Sequence, residues 1–127
     1  MSDNYDIPDR SVKNHALMVA YEDWLDPGST LSIASEKALD DNEQRQLSIG
    51  VIAELLVEKL VVPGYMLPGW IHAPWDGSAG DAIARIAAEW SSDFADKTLF
   101  PGAIVWLAIT DKGRSQAESI LRAEGAL

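Results

Sequence analysis

The pattern of hydrophobic and polar positions is clearest near the end of the chain, where it predicts a strand followed by a helix. Residues 104–109 form an unbroken apolar run rich in β-branched and aromatic residues, which favours a strand covered on both faces. Thr110 can then cap a helix, and Asp111 stands in the first turn, where a carboxylate suits the helix dipole. Apolar residues recur at three-to-four spacing up to Leu121. We expect the rest of the chain to pack around this unit, residues 103–121.

Helical patterns precede this unit. Helices are predicted over residues 11–26, 29–41, 42–60 and 79–91. Ser11 can cap the first helix, and the Pro27-Gly28 pair is predicted to end it. Asp40 and Glu43 have the spacing of a capping box at the start of the third helix, with Asp in the place of Ser or Thr.

A second strand is predicted between the third and fourth helices. Residues 61–67 begin with a β-branched pair and contain Pro-Gly punctuation, so they are expected to pair with the strand described above. Because Pro63 cannot donate a ladder hydrogen bond, this strand is expected at the edge of the sheet. Residues 68–77 are predicted to be a loop, after which Ser78 or Asp81 can cap the fourth helix.

Three glycines have positional meaning. Gly50, in the middle of the third helix, is expected where another helix crosses it. Gly113, in the first turn of the closing helix, indicates either a close backbone approach or a tolerated flaw. Gly125 is placed to end that helix.

Together these elements predict an α+β fold that is mainly helical. It has four or five helices, a small antiparallel sheet of two or three strands, and a helical insertion between the strands. The length of 127 residues suits one domain. Residues 1–10 are expected to be a flexible lead, and residues 11–127 a single domain.

Charge narrows the classes of partner. The chain has 20 acidic and 10 basic residues, a net charge of −10. Residues 1–41 hold nine acidic and three basic residues, whereas residues 101–127 hold three of each. An acidic front suits a basic protein partner, and the alternative is that it only keeps a small protein soluble. Nucleic acid is a poor partner, because phosphate binding relies on Lys and Arg and the helix over 42–60 has only Arg45 and Lys59.

Other sequence features exclude whole classes of site. The absence of cysteine rules out disulfides and thiolate metal sites. The first ten residues lack the basic start and apolar core of a secretory signal. No run approaches the roughly 20 apolar residues of a membrane helix. The simplest expected localisation is cytoplasmic, without membrane contact.

No catalytic or cofactor motif is present, so no catalytic residue, metal site or cofactor is predicted. His15 is expected on the polar surface of the first helix. His72 lies close in sequence to Asp76, and a His–Asp pair could act as a base or bind a metal, but two ligands are not a site. A small enzyme using His72 and nearby acids is the third hypothesis for function.

The most informative cluster is aromatic. Tyr65, Trp70 and Trp75 fall within eleven residues. Such side chains either anchor protein interfaces or plug a small core as a lid, and both interpretations stay open. Trp70 and Trp75 are the ones expected to be partly exposed.

Three acids at the end of the first predicted helix form a second group. Glu22, Asp23 and Asp26 lie in its last turns, where they oppose the helix dipole, and a partner would explain that cost. The alternative is that they are simply solvated. The predicted partner-binding residues are therefore Tyr65, Trp70, His72, Trp75 and Asp76, with Glu22, Asp23 and Asp26 as second choice.

The closing segment resembles the end of winged-helix proteins such as the bacterial MarR- and PadR-like regulators. There a wing strand with a hydrophobic-x-Leu-Thr-x-x-Gly-Arg pattern leads into a helix, and residues 106–114, WLAITDKGR, are similar to it. Residues 58–62, EKLVV, resemble the junction between recognition helix and wing. The resemblance implies a winged-helix-like fold with about 35 residues inserted between the wing strands. It also implies a regulator that binds DNA as a dimer.

Two functions follow as hypotheses. The first is a non-enzymatic protein-binding module, an acidic immunity- or antitoxin-type protein that masks a basic partner. The alternative is a winged-helix transcription regulator that binds DNA as a dimer. The sequence leaves the oligomeric state open.

Overall fold

A computed structural model of the chain describes residues 10–37, 40–90 and 99–126. These residues form five helices and three strands, in the order α1 (Val12–Glu22), α2 (Pro27–Ala34), α3 (Asp41–Val57), β1 (Val61–Leu67), β2 (Ile71–Pro74), α4 (Ala79–Glu89), β3 (Trp106–Ile109) and α5 (Asp111–Ala123). The strands form one antiparallel sheet in the order β2-β1-β3. The predicted α+β fold, with a helix inserted between strands, is confirmed. The predicted lead over 1–10 lies, apart from Arg10, outside the described residues.

The predicted side-chain caps start the helices. Asp40 and Glu43 form a reciprocal capping box at the start of α3, and Ser78 forms another with Asp81 at α4. At α5, the Thr110 hydroxyl oxygen accepts a hydrogen bond from the Gly113 N–H at 2.9 Å. Each cap satisfies a backbone N–H that the first helical turn leaves free.

The boundary between α1 and α2 differs from the prediction. Helix α1 ends at Glu22, and the Pro-Gly pair begins α2, because Pro27 occupies the first helical position, where its missing N–H costs nothing. Asp26 is the N-cap of α2 and its Oδ1 accepts from the Ser29 N–H at 2.9 Å. The prediction that Asp26 opposes a helix dipole was therefore wrong. Its carboxylate lies at the N-terminal end of α2, where the dipole favours a negative charge.

The sheet also differs from the prediction in two respects. Strand β1 is central and not at the edge, and part of the predicted loop over 68–77 is strand β2. The carbonyl of Pro63 accepts from the Trp75 N–H at 2.9 Å, just beyond the end of β2. A residue in an antiparallel strand turns its N–H and C=O to the same neighbour, so the missing donor of Pro63 falls where the β1–β2 ladder ends.

Strand β3 is shorter and less enclosed than the apolar run suggested. It begins at Trp106, and Leu107 is fully buried while its strand neighbours are half-buried. Leu107 exchanges backbone hydrogen bonds with Leu25, which follows α1. One face of the sheet therefore joins the core, whose largest fully buried members include Trp90, Leu17, Leu25, Ile52, Leu55, Leu60, Ile86 and Leu107.

Helix α5 closes the fold against the end of α3. A Cβ atom at Gly113 would overlap the Leu60 carbonyl oxygen, so this glycine permits a close backbone approach, one of its two predicted roles. The Thr110 N–H donates to the same carbonyl at 3.0 Å, and its hydroxyl donates to the Lys59 carbonyl at 2.7 Å. The prediction for Gly50 was wrong, because it is exposed and nothing lies within 4 Å of its Cβ position.

Candidate functional site

The β1–β2 hairpin exposes an apolar surface. Six large hydrophobic side chains are exposed in the described part of the chain, and four of them are on this hairpin: Tyr65 at 52%, Leu67 at 47%, Trp70 at 68% and Ile71 at 60%. Leu67 and Ile71 are directly opposed across the strands. Strand β3 pairs with β1 only as far as Gly64, so the hairpin extends beyond it. We call these four residues the hairpin surface.

The tip of the hairpin holds a tryptophan in a strained conformation. Pro68, Gly69 and Trp70 connect the last opposed pair of the two strands. Gly69 has φ +85°, which suits glycine, but Trp70 has φ +59°, which costs a non-glycine residue about 1–2 kcal/mol. Backbone strain of this kind clusters at functional sites, where the surrounding structure maintains it. The strain here keeps an indole ring at the exposed tip.

Helix α4 supports the hairpin from one side. The Arg85 guanidinium lies 3.8 Å from the centre of the Trp75 ring and donates to the Tyr65 hydroxyl at 2.8 Å. It also donates to Glu89 at 2.8 Å, and these two hydrogen bonds raise the pKa of Arg85 above its ordinary value. The Tyr65 and Trp75 rings lie 5.9 Å apart, tilted by 59°. Trp75 is half-buried, so it positions the hairpin more than it extends its surface.

The opposite face of the sheet borders a cleft lined by tryptophans. Trp24, from the connection after α1, Trp70, from the hairpin tip, and Trp106, from β3, line an open cavity of about 840 Å³. The Trp24 ring stacks on His72 with centroids 5.9 Å apart and planes 10° apart. Asp23 lies on the rim. We call these three tryptophans and Asp23 the tryptophan cleft; its other lining residues are Val19, Asp26, Gly28, Ser29, Ser32, Ile33, Leu99 and Pro101.

His72 contacts two residues of the tryptophan cleft, Trp24 and Trp106, without lining the cleft itself. Its Nε2 lies 3.0 Å from the Trp106 carbonyl oxygen, and since a carbonyl oxygen only accepts, Nε2 carries the proton. Asp76 is exposed, and no hydrogen bond joins it to His72 among the described residues, so the two do not form the pair that a base or metal site would use. The described residues also contain no group of three His, Cys, Asp or Glu that could hold a metal ion.

The three predicted acids have different environments. Glu22 and Asp23 are exposed. Asp26 is only 5% exposed, and its second carboxylate oxygen accepts from the Gly102 N–H at 2.7 Å. Asp26 therefore joins α2 to the segment that leads into β3, whereas Asp23 is an exposed residue among those that line the cleft.

The structure brings together some of the predicted residues and adds others. Trp70, Asp23 and Asp26 line the cleft, and His72 contacts its residues Trp24 and Trp106. Tyr65 and Trp75 meet on the other face, and Asp76 and Glu22 belong to neither group. Sequence reasoning missed Leu67 and Ile71 on the hairpin, and Trp24 and Trp106 in the cleft. A turn signal in Pro68-Gly69 between two apolar residues could have indicated the hairpin. No local signal indicated the cleft, because its walls are distant in sequence.

Compared with known proteins, the chain matches no family model, no curated protein and no solved structure. The site is therefore defined by its geometry. Within residues 10–37, 40–90 and 99–126, no helix has both the length and the apolar character needed to cross a membrane.

Proposed function

We propose that this protein is a non-enzymatic protein-binding module that docks through the hairpin surface onto a basic partner, as an acidic immunity- or antitoxin-type protein would. The observation that carries the proposal is the concentration of exposed apolar side chains on one projecting hairpin. Contiguous exposed apolar surface is unusual on a soluble protein and marks interaction sites. Aromatic residues, two of which are present here, are enriched where interface energy is concentrated.

Charge supports the choice of a basic partner. The net charge is −10, and the hairpin carries no acidic residue of its own between Val61 and Trp75. On an acidic protein with an apolar contact surface, affinity and electrostatic steering come from different parts of the interface. The apolar centre supplies affinity, and the surrounding charge steers a basic partner to it.

The test uses three baits in an extract of the protein's own source cells. Wild type and Val57→Ser should retain the same partner, because Val57 is equally apolar and exposed but lies on α3. Ile71→Ser should lose it. With the captured protein purified, Ile71→Ser should weaken binding about tenfold or more, the loss typical of an interface anchor. Rising salt should slow association with the wild type.

Two results would contradict this function. One is a captured protein that all three baits bind with equal affinity, which would place the interface elsewhere. The other is a partner with an acidic binding surface. Circular dichroism and thermal melts of each bait verify that Ile71→Ser remains folded, which its exposed position predicts.

A winged-helix transcription regulator that binds DNA as a dimer is the second proposal. The observation in its favour is that β1 pairs antiparallel with β3 and that α5 follows β3 directly through the Thr110 cap. Against it, the only base between Asp41 and Val57 in α3 is Arg45. A gel-shift assay at low salt with genomic fragments tests it. A sequence-dependent shift would favour the regulator, and no shift at micromolar protein would remove it.

A further inference from the structure

We propose that the tryptophan cleft is a second binding site, which takes a small organic cation with an apolar body, of the quaternary ammonium class. Three indole rings from three separate parts of the chain line the same cavity. Tryptophan offers the best aromatic face for a cation, and cages of aromatic rings are the usual protein site for quaternary ammonium groups. This proposal concerns a small ligand and does not depend on the protein partner proposed above.

Two of the three rings are held in place before any ligand binds. Trp24 stacks on His72, and the His72 ring is fixed by its 3.0 Å hydrogen bond to the Trp106 carbonyl. The Trp106 indole packs on Gly102, where a Cβ atom would overlap the ring. Such preorganisation reduces the ordering cost of binding. The third, Trp70, lines the cleft from the tip of the hairpin and is 68% exposed.

The charge of the cleft selects a cation. Its described lining contains two carboxylates, those of Asp23 and Asp26, and neither lysine nor arginine. Asp26 is committed to the backbone N–H groups of Ser29 and Gly102. Asp23 is exposed, and its carboxylate forms no hydrogen bond or ion pair with a described residue. One uncommitted carboxylate beside three indoles is complementary to a single positive charge on an apolar group.

The side chains that line the tryptophan cleft do not suit a metal ion, and the cleft volume suits a small molecule. A metal ion requires several oxygen or nitrogen ligands, and no group of three suitable side chains exists among the described residues. The volume of about 840 Å³ lies within the range of about 300–1,000 Å³ typical of small-molecule sites.

The five tryptophan side chains provide the readout. In a ¹⁵N–¹H spectrum of the intact chain, benzyltrimethylammonium should shift the indole signals of Trp24, Trp70 and Trp106, and leave that of the buried Trp90 in place. The expected Kd is on the order of 1 mM or tighter. Choline should bind more weakly, and its uncharged isostere, 3,3-dimethylbutan-1-ol, should bind about tenfold more weakly than choline.

Two variants locate the site, and a third separates it from the proposed protein interface. Trp24→Leu and Asp23→Asn should each weaken benzyltrimethylammonium binding about fivefold or more, and Asp76→Asn, an exposed acid outside the cleft, should not. Ile71→Ser should lose the protein partner and keep the cation. Because Asp23 is exposed, Asp23→Asn remains informative if Trp24→Leu fails to fold.

Three results would overturn the proposal. One is the absence of shifts in the three cleft indoles at saturating probe. A second is equal binding of choline and its uncharged isostere, which would show an apolar pocket without charge selection. A third is tighter binding of N-acetyl-arginine-N-methylamide than of benzyltrimethylammonium, which would make the cleft a receptor for a partner's arginine side chain.

Discussion

The two halves of strand β1 differ in environment more than in sequence. Val61 is 3% exposed, and its half of the strand lies between β3 and the core. Tyr65 and Leu67, in the other half, are about half exposed and pair only with β2. Both halves are apolar. The burial of a strand residue is therefore decided by the elements that pack beside it. The second half of β1 lacks such elements, so core packing does not explain why its residues are apolar.

The two halves are also anchored differently. The first half begins at a Schellman motif that ends α3: the Leu60 N–H donates to Leu55 and the Lys59 N–H donates to Leu56. Helix α5 then closes on the same turn through Gly113. The second half pairs with β2, and the Arg85 guanidinium contacts Tyr65 within it and Trp75 just beyond β2. Both halves therefore have a paired neighbouring strand, but the first half is also packed into the core, whereas the second is supported by the side chain of Arg85.

The largest expected effect is on core packing beside the buried half. Leu107→Ala removes a side chain with no exposed area and should lower the free energy of unfolding by about 2–5 kcal/mol. Leu67→Ala, at 47% exposure in the other half, should change it by about 0.5 kcal/mol or less. Urea denaturation of both variants measures the difference. Equal losses would show that the two halves are equally packed.

The next effect concerns the close approach of α5. Gly113→Ala places a methyl group against the Leu60 carbonyl and should destabilise the fold by about 1–3 kcal/mol. Gly50→Ala is the matched control, because its methyl group meets open space in the middle of α3 and should stabilise by about 0.5–1 kcal/mol. Denaturation midpoints should therefore move in opposite directions. A shift in the same direction would mean that Gly113 is only a tolerated flaw.

Backbone strain in the turns just before and just after β1 should separate stability from binding. Lys59 and Trp70 have φ +61° and +59°. Replacing either by glycine should relieve the strain and raise stability by up to about 1 kcal/mol. Lys59→Gly should leave both proposed binding activities unchanged, whereas Trp70→Gly should weaken them. If Trp70→Gly binds the partner and the cation as the wild type does, the tip has no binding role.

The smallest effect is electrostatic and lies on the side of the buried half, where the end of α5 meets the start of α1. Arg10 donates two hydrogen bonds of 2.8 Å to the Glu124 carboxylate and lowers the pKa of Glu124 below its ordinary 4.5. A carboxylate with a depressed pKa contributes stability above its unfolded pKa, and loses it as pH falls through the folded pKa.

Glu124→Gln should therefore melt below the wild type near neutral pH, and the difference should shrink as pH falls below about 4.5. Glu36→Gln is the control, because Glu36 is exposed and forms no ion pair with a described residue. Thermal melts over a pH series measure both variants. A difference that stays constant into the acid range would mean that the ion pair makes no pH-dependent contribution.

Predictions from the sequence succeeded where the physical cause is local. Asp40 and Glu43 form the predicted capping box because they are three residues apart, and Ser78, one of the two predicted caps, starts α4. Predictions failed where one residue type is compatible with two different structural positions. Pro27 was expected to end one helix but begins the next, since proline suits the first helical position as well as a stop.

The candidate site was predictable only in part, for the same reason. The aromatic segment is visible in the sequence, and Trp70 and Trp75 are partly exposed as predicted. The cleft was not visible, because Trp24 and Trp106 read as members of an apolar helix and an apolar strand. Their rings line one cavity because Leu25 and Leu107 pair, which brings the residues before them to the same side of the sheet.

By itself, the sequence determined the fold class, the starts of α1, α3, α4 and α5, the acidic charge and the lack of thiol chemistry, because these depend on composition or on neighbours within one turn. Only the tertiary structure decided that Pro63 lies in a central strand, that Asp26 is buried and Asp23 free, and that one half of β1 is covered and the other open. Each of these depends on contacts between residues far apart in the chain. Such contacts are chosen by the packing of the whole fold and leave no local pattern.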